Sequence, residues 1–138
     1  MMIVDTNVIL HLIDDRQPDS QRVLASFIKM NHAHALVANE IIFAEVSPNF
    51  VSADAVRDQF EALGIAIKRL DLDECFRAGE AFRNYRRNGG PRTTILADFL
   101  IGAQASVRGW PIFTRDTKRF STYFPEVEMI DPMQVPHD

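Results

Sequence analysis

The chain has 138 residues, 46% hydrophobic and 25% charged, with a formal net charge of -4. That length holds one domain with a single core and is too short for two of ordinary size, and the composition is globular, not disordered or fibrous. A single cysteine, Cys75, excludes an internal disulfide and a cysteine zinc cluster, no apolar stretch approaches bilayer-spanning length, and an N-terminus without a basic start or cleavable apolar segment makes the cytoplasm the expected location.

In chain order, Met2 to Val4 is a short apolar run ending at Asp5 and predicts a buried strand. Thr6 is a candidate cap for a helix to about Asp14, with Val8, Ile9, Leu12 and Ile13 on one face. Arg22 to Asn31 repeats the helical spacing through Val23, Leu24, Phe27 and Ile28, with Pro18 and Ser20 at its start. Ala35 to Ala38 reads as a strand, and Asn39 caps a short helix that Pro48 ends. Ala53 to Leu63 is an amphipathic helix closed by Gly64, and Ile65 to Leu70 a strand.

Leu72 to Arg87 is a longer helix with Phe76, Ala81, Phe82 and Tyr85 inward, stopped by Asn88-Gly89-Gly90-Pro91. Thr93 or Thr94 caps the next helix, which runs to about Arg108 and ends at Gly109. Pro111 to Thr114 and Val127 to Ile130 are the last strands, and residues 131–138 form a loose tail of a single domain spanning 1–138. Strands alternating with helices predict a three-layer α/β/α sandwich with a mostly parallel sheet.

The charge is unevenly placed. From Arg77 to Arg119 nine basic residues face only Glu80, Asp98 and Asp116, so this stretch is strongly basic and the rest of the chain strongly acidic. Such asymmetry suits a phosphate-facing surface on an acidic protein, and equally suits a solvated helix face and loop.

Four acids stand in unusual places. In open α/β sheets, ligands bind beyond the carboxyl ends of the strands, near the reversal of strand order. Asp5 follows the first strand, and Asp116 lies two residues after Ile112-Phe113-Thr114. Glu45 is the only charge in Ile41 to Val46, and Asp98 the only charge in Ile95 to Ser106, both in helices expected to pack on the sheet. Carboxylates in apolar company are costly to bury unless paired or bound to a cation. An all-carboxylate set, with no cysteine or histidine partner, suits Mg²⁺ or Mn²⁺ over zinc, and in-line hydrolysis of a phosphodiester is the chemistry such a site supports. Taken singly, each acid has a plainer reading: Asp5 as a helix cap, Asp116 as a turn residue, Glu45 as the partner of a buried arginine, Asp98 as a helix-start acid.

The runs Ile3-Val4-Asp5-Thr6-Asn7, Ile42-Phe43-Ala44-Glu45-Val46, Leu96-Ala97-Asp98-Phe99-Leu100-Ile101-Gly102-Ala103 and Ile112-Phe113-Thr114-Arg115-Asp116 resemble, in order and spacing, the PIN domain. Within it they are most similar to VapC-type toxins of bacterial toxin–antitoxin pairs, notably from Gly89 to Gly102. The resemblance covers nearly the whole chain. It implies a parallel sheet of order 3-2-1-4-5, Mg²⁺ or Mn²⁺, endoribonuclease activity, a homodimer, and a cognate antitoxin that blocks the site. It further implies that Asp5, Glu45, Asp98 and Asp116 are the catalytic acids, with Asp5, Asp98 and Asp116 holding metal. Thr6 and Asn7 would support Asp5, and Thr114 would hydrogen-bond within the cluster. The segment from Pro48 to Leu70 carries no motif of this family.

Arg83, Arg86 and Arg87, with Tyr85, are candidates to grip an RNA backbone by charge and stacking, and Arg115 joins them as a substrate-binding candidate. His11, His32 and His34 are too scattered to form a metal set, Cys75 is expected in the core, and Phe50, Phe60 and Trp110 in core or interface. The helices around Leu10 to Ile13 and Val23 to Ile28 offer apolar faces for a second copy or an antitoxin helix. Two other functions compete. A phosphatase with an aspartyl nucleophile at Asp5 would want an acid two residues later, where Asn7 stands. A catalytically silent RNA- or partner-binding module would be expected to lack one or more of the four acids, and all four are present.

Overall fold

The first strand, β1 (Met2–Val4), pairs in parallel with β2 (Leu36–Ala38) on one side and β4 (Ile112–Phe113) on the other. In the computed structural model, which describes residues 1–91 and 96–136, β3 (Ile65–Ile67) and β5 (Met129–Ile130) complete a fully parallel sheet of order β3-β2-β1-β4-β5. This is the order implied by the family resemblance. All three side chains of both β1 and β2 are buried. Successive strand residues point to opposite faces, so both faces of the sheet are covered there, as a parallel sheet requires.

Helices carry the chain between strands: α1 (Thr6–Ile13) and α2 (Ser20–Ala33), then α3 (Glu40–Val46) and α4 (Ala53–Ala62), then α5 (Leu72–Arg87) and α6 (described from Leu96, to Arg108), and finally α7 (Thr117–Ser121). Asn39 caps α3 as expected, its side-chain oxygen accepting from the backbone N–H groups of Ile41 and Ile42, each at 3.0 Å. α5 has the expected bounds and opens with a reciprocal capping box: the Glu74 N–H donates to Asp71 Oδ1 at 2.8 Å and the Asp71 N–H to Glu74 Oε1 at 3.2 Å. The threonines expected to cap α6, Thr93 and Thr94, lie outside the described residues.

Several expectations are corrected. Phe76 is 67% exposed and Cys75 is exposed, because the inward stripe of α5 runs through Glu74, Ala78, Ala81 and Tyr85, and Phe76 lies about half a turn from it. Strands β3, β4 and β5 are shorter than their apolar runs. The single-turn α7 was not foreseen, since five residues carry too little periodicity to register. The C-terminal segment is not loose through residue 136: Ser26 Oγ donates to Pro132 O at 2.6 Å, Arg22 Nη2 to Met133 O and Val135 O at 3.2 and 3.0 Å, and Lys29 Nζ to Pro136 O at 2.6 Å, with Val135 buried. No helix among the described residues is long and apolar enough to cross a membrane.

Candidate active site

Strand order reverses between β1 and β4, and the candidate site is built just beyond their carboxyl ends. The register pairs Ile3 with Ile112 and Val4 with Phe113, so the next step brings Asp5 alongside Thr114. Asp5 is fully buried, and its backbone N–H donates to Phe113 O at 2.9 Å. It also starts α1: Asp5, not Thr6, is the N-cap, and Oδ1 accepts from the Thr6 N–H at 2.8 Å. The cap reading and the site reading of Asp5 therefore coexist in one side chain.

Thr114, also fully buried, donates its hydroxyl to Asp5 Oδ2 at 2.8 Å and accepts from the Asp116 N–H at 3.0 Å and from Asn7 Nδ2 at 3.4 Å. One donor and two acceptor positions are thus all used. Asn7 closes the ring by accepting the Arg115 N–H on Oδ1 at 3.2 Å. Asp116 caps α7, accepting the Arg119 N–H at 3.3 Å, and remains exposed.

Arg119, within α7, reaches back into the acids. Its Nη2 donates to Asp5 Oδ2, its Nε lies 3.4 Å from Asp98 Oδ1, and its guanidinium covers the Phe120 ring with 4.6 Å to the centroid. In the sequence Arg119 stands out only as part of the basic stretch from Arg77. Asp116-Thr117-Lys118-Arg119 signals only that the Arg119 backbone N–H meets the cap acid; nothing local signals that its side chain passes on to Asp5 and Asp98.

Asp98 stands in the first turn of α6 as described, half-buried. Glu45 requires a correction: despite its apolar neighbours it is exposed, and among the described residues it pairs with no buried arginine. It instead accepts the Thr6 hydroxyl on Oε1 at 2.7 Å, which ties α3 to the start of α1.

The four acids share one electrostatic environment. The Asp98 carboxyl is pushed up to about 6, mainly by burial, against the pull of Arg119, with the charges of Asp5, Glu45 and Asp116 each adding to the rise. Asp5 is raised too, again mainly by burial, although Arg119, the Thr114 hydroxyl and the Thr6 N–H all favour its charged form. Burial and like charge outweigh one guanidinium.

The donor set fits a hard divalent ion: carboxylate oxygens only, a buried member at the strand end, and a cationic group already drawn onto Asp5 and Asp98. Among the described residues no three histidine, cysteine, aspartate or glutamate side chains are gathered closely enough to chelate an ion as they stand.

The basic candidates divide. Arg83 and Arg87 are exposed and form no ion pair among the described residues, while Arg86 Nη1 makes a 3.4 Å contact with Gly90 O. They end a helix whose Tyr85 packs edge-on against Phe99, the residue after Asp98, with ring centroids 5.6 Å apart. Arg115, by contrast, is engaged within the protein: Nη1 lies 2.7 Å from His11 Nε2 and Nη2 3.3 Å from Asp19 Oδ2. The guanidinium can only donate, so His11 accepts at Nε2 and carries its proton on Nδ1, 2.8 Å from Asn7 O.

A family model for the PIN domain matches residues 2–124. Among curated proteins none matches by sequence. Three solved structures illustrate the likeness in fold. VapBC-1 from nontypeable Haemophilus influenzae has a TM-score of 0.73 at 17% identity, over 96% of this chain and 98% of that one. VapBC2 from Rickettsia felis, bound to a DNA fragment from its promoter, has a TM-score of 0.72 at 13% identity, over 94% and 97%. FitAcB from Neisseria gonorrhoeae has a TM-score of 0.69 at 20% identity, over 98% and 100%.

Proposed function

The chain belongs to the PIN domain family, and from that premise we propose that it is a Mg²⁺- or Mn²⁺-dependent endoribonuclease of the VapC toxin type, working in the cytoplasm and held in check by a cognate antitoxin. The observation that carries the reading is the linkage of four acids where strand order reverses: Thr114 joins Asp5 to the Asp116 backbone, Arg119 bridges Asp5 and Asp98, and Thr6 joins Asp5 to Glu45. Solved structures of this fold from toxin–antitoxin complexes support the antitoxin as partner, and a homodimer is the assembly that the family resemblance implies.

Asp5, Asp98 and Asp116 would hold the metal. When bound, a divalent ion acidifies a water at neutral pH and offsets charge on a phosphodiester. The chain's own residues do the rest. Thr114 and the Thr6 N–H hold both oxygens of Asp5 in fixed directions, and Asn7 and Thr114 hold the backbone that carries Asp116. Glu45, exposed and tied by one oxygen to Thr6, keeps its other oxygen for the proton that an attacking water must lose. Arg83, Arg86 and Arg87 offer the RNA backbone a basic approach along the end of α5.

The test is cleavage of cellular RNA by the purified protein, with 5′ ends mapped after brief induction of wild type and Asp98→Ala. Cut sites present only in wild type, and lost in EDTA, are expected; cutting that persists in excess EDTA removes the metal from the mechanism. One observation favours a second reading, a silent RNA- or partner-binding module: Arg119 already neutralises part of the acid pole. Intact RNA recovered from a stable complex in Mn²⁺ would decide for that reading.

A further inference from the structure

We propose that Arg119 is a positioning residue of the acidic pole, holding Asp5 and Asp98 in place of a divalent cation and competing with that cation for them. The inference rests on the metal site proposed above. Arg119 touches three of the four acids by three different groups: Nη2 on Asp5, Nε near Asp98 at 3.4 Å, and its backbone N–H on Asp116 at 3.3 Å. No other basic side chain is ion-paired with any of the four among the described residues.

The hold is firm at one end and loose at the other. α7 is anchored by Phe120, which is fully buried, so the helix delivers the guanidinium from a fixed base. Nε, however, is buried without a hydrogen-bond partner, so its attraction to Asp98 is electrostatic only. A buried donor left unsatisfied is costly, and a side chain in that state gives way more readily to a competitor than one whose donors are all used. A single positive charge also leaves four carboxylates undercompensated, and a doubly charged ion satisfies more of them. Without the ion, Arg119 keeps Asp5 and Asp98 together against their mutual repulsion. With it, Arg119 must leave Asp5 Oδ2. Arg119 therefore both prepares the site and weakens its affinity for metal.

The test is a Mn²⁺ titration of metal-free protein, with free ion read from its six-line electron paramagnetic resonance signal, on wild type, Arg119→Gln, Arg119→Lys and Asp5→Asn. Removing the competing charge is expected to tighten binding about tenfold in Arg119→Gln, and restoring a cation in Arg119→Lys to bring it back within about threefold of wild type. Asp5→Asn should bind far more weakly. Unchanged or weaker binding by folded Arg119→Gln, while Asp5→Asn loses the ion, overturns this inference and leaves the metal reading standing. Binding insensitive to Asp5→Asn overturns both. Should Arg119→Gln fail to fold, the Arg119 Nε–H resonance of wild type during a Mg²⁺ titration decides: a shift that saturates with the ion supports displacement, and an unmoved resonance overturns it.

Discussion

Asp5 and Glu74 are both fully buried carboxylates that face an arginine, Arg119 of α7 for the first and Arg108 at the end of α6 for the second. Glu74 is closed on all sides. Arg108 Nε donates to its two oxygens at 3.3 and 3.1 Å and Nη2 to Oε1 at 3.0 Å, while the Asp71 N–H adds a further bond. Arg108 itself is steadied by Arg69 O at 3.1 Å and by the Trp110 ring. Asp5 also has bonds to both oxygens, but its arginine is shared with Asp98, has an idle buried N–H, and lies among further acids. A buried ion pair that serves only the fold satisfies every donor it can reach. One at a site of chemistry leaves charge uncompensated for something else to bind.

The contrast breaks most visibly at Asp5. Asp5→Asn keeps a cap acceptor for α1 and removes a buried charge, so urea unfolding should move by less than about 1 kcal/mol, whereas RNA cleavage should fall by roughly 10³-fold, the loss of several kcal/mol of charge stabilisation. Glu74→Ala should do the reverse. Breaking a buried pair costs about 3–5 kcal/mol, but Arg108 is 30% exposed and regains water, so a stability loss of about 2–3 kcal/mol is expected, with cleavage per folded molecule unchanged.

α6, which carries Asp98 in its first turn and Arg108 at its end, packs through Gly102, where an added Cβ would overlap the Phe124 ring. Gly102→Ala should cost about 1–3 kcal/mol in a denaturant melt by overpacking, and a neutral result would show that Phe124 can move aside. The smallest effect is one of pH. Between 3.8 and about 6 the folded protein holds a proton on Asp98 that the unfolded chain has released. Its contribution to metal-free stability is therefore present at low pH and lost as pH rises through that window. Because ions bind the charged carboxylate, the rise in Tm produced by Mn²⁺ should grow across the same range. A shift in Tm independent of pH would exclude Asp98 as a ligand.

Much of the frame was legible because it depends on local chemistry. Asn39 and Gly64 mark helix ends by capping and by a positive φ of 73° at Gly64, and apolar runs of two or three residues ending at Asp5 and Thr114 mark strands. What escaped depends on partners distant in sequence. Glu74 carries no local sign of burial in the sequence, because Arg108, which closes over it, is 34 residues away. Glu45 looked buried from its neighbours, yet α3 turns it outward to meet Thr6, 39 residues earlier. Phe76 is expected inward from the sequence, but the buried stripe of α5 starts from a charged residue, Glu74, and Phe76 lies about half a turn from it. Arg119 was invisible as a member of the site because its target, Asp5, lies 114 residues away.

The C-terminal strap has a consequence for how the chain can vary. Apart from the buried Pro132 and Val135, it is tied by α2 side chains gripping its main-chain carbonyls, which every residue type supplies alike. Composition is therefore freer to drift at the exposed Gln134 and Pro136 than at Asp131, whose side chain accepts the Met133 N–H, or at Met133, which packs against the core, and trimming inward from 136 removes an acceptor of Lys29, then of Arg22, then of Ser26.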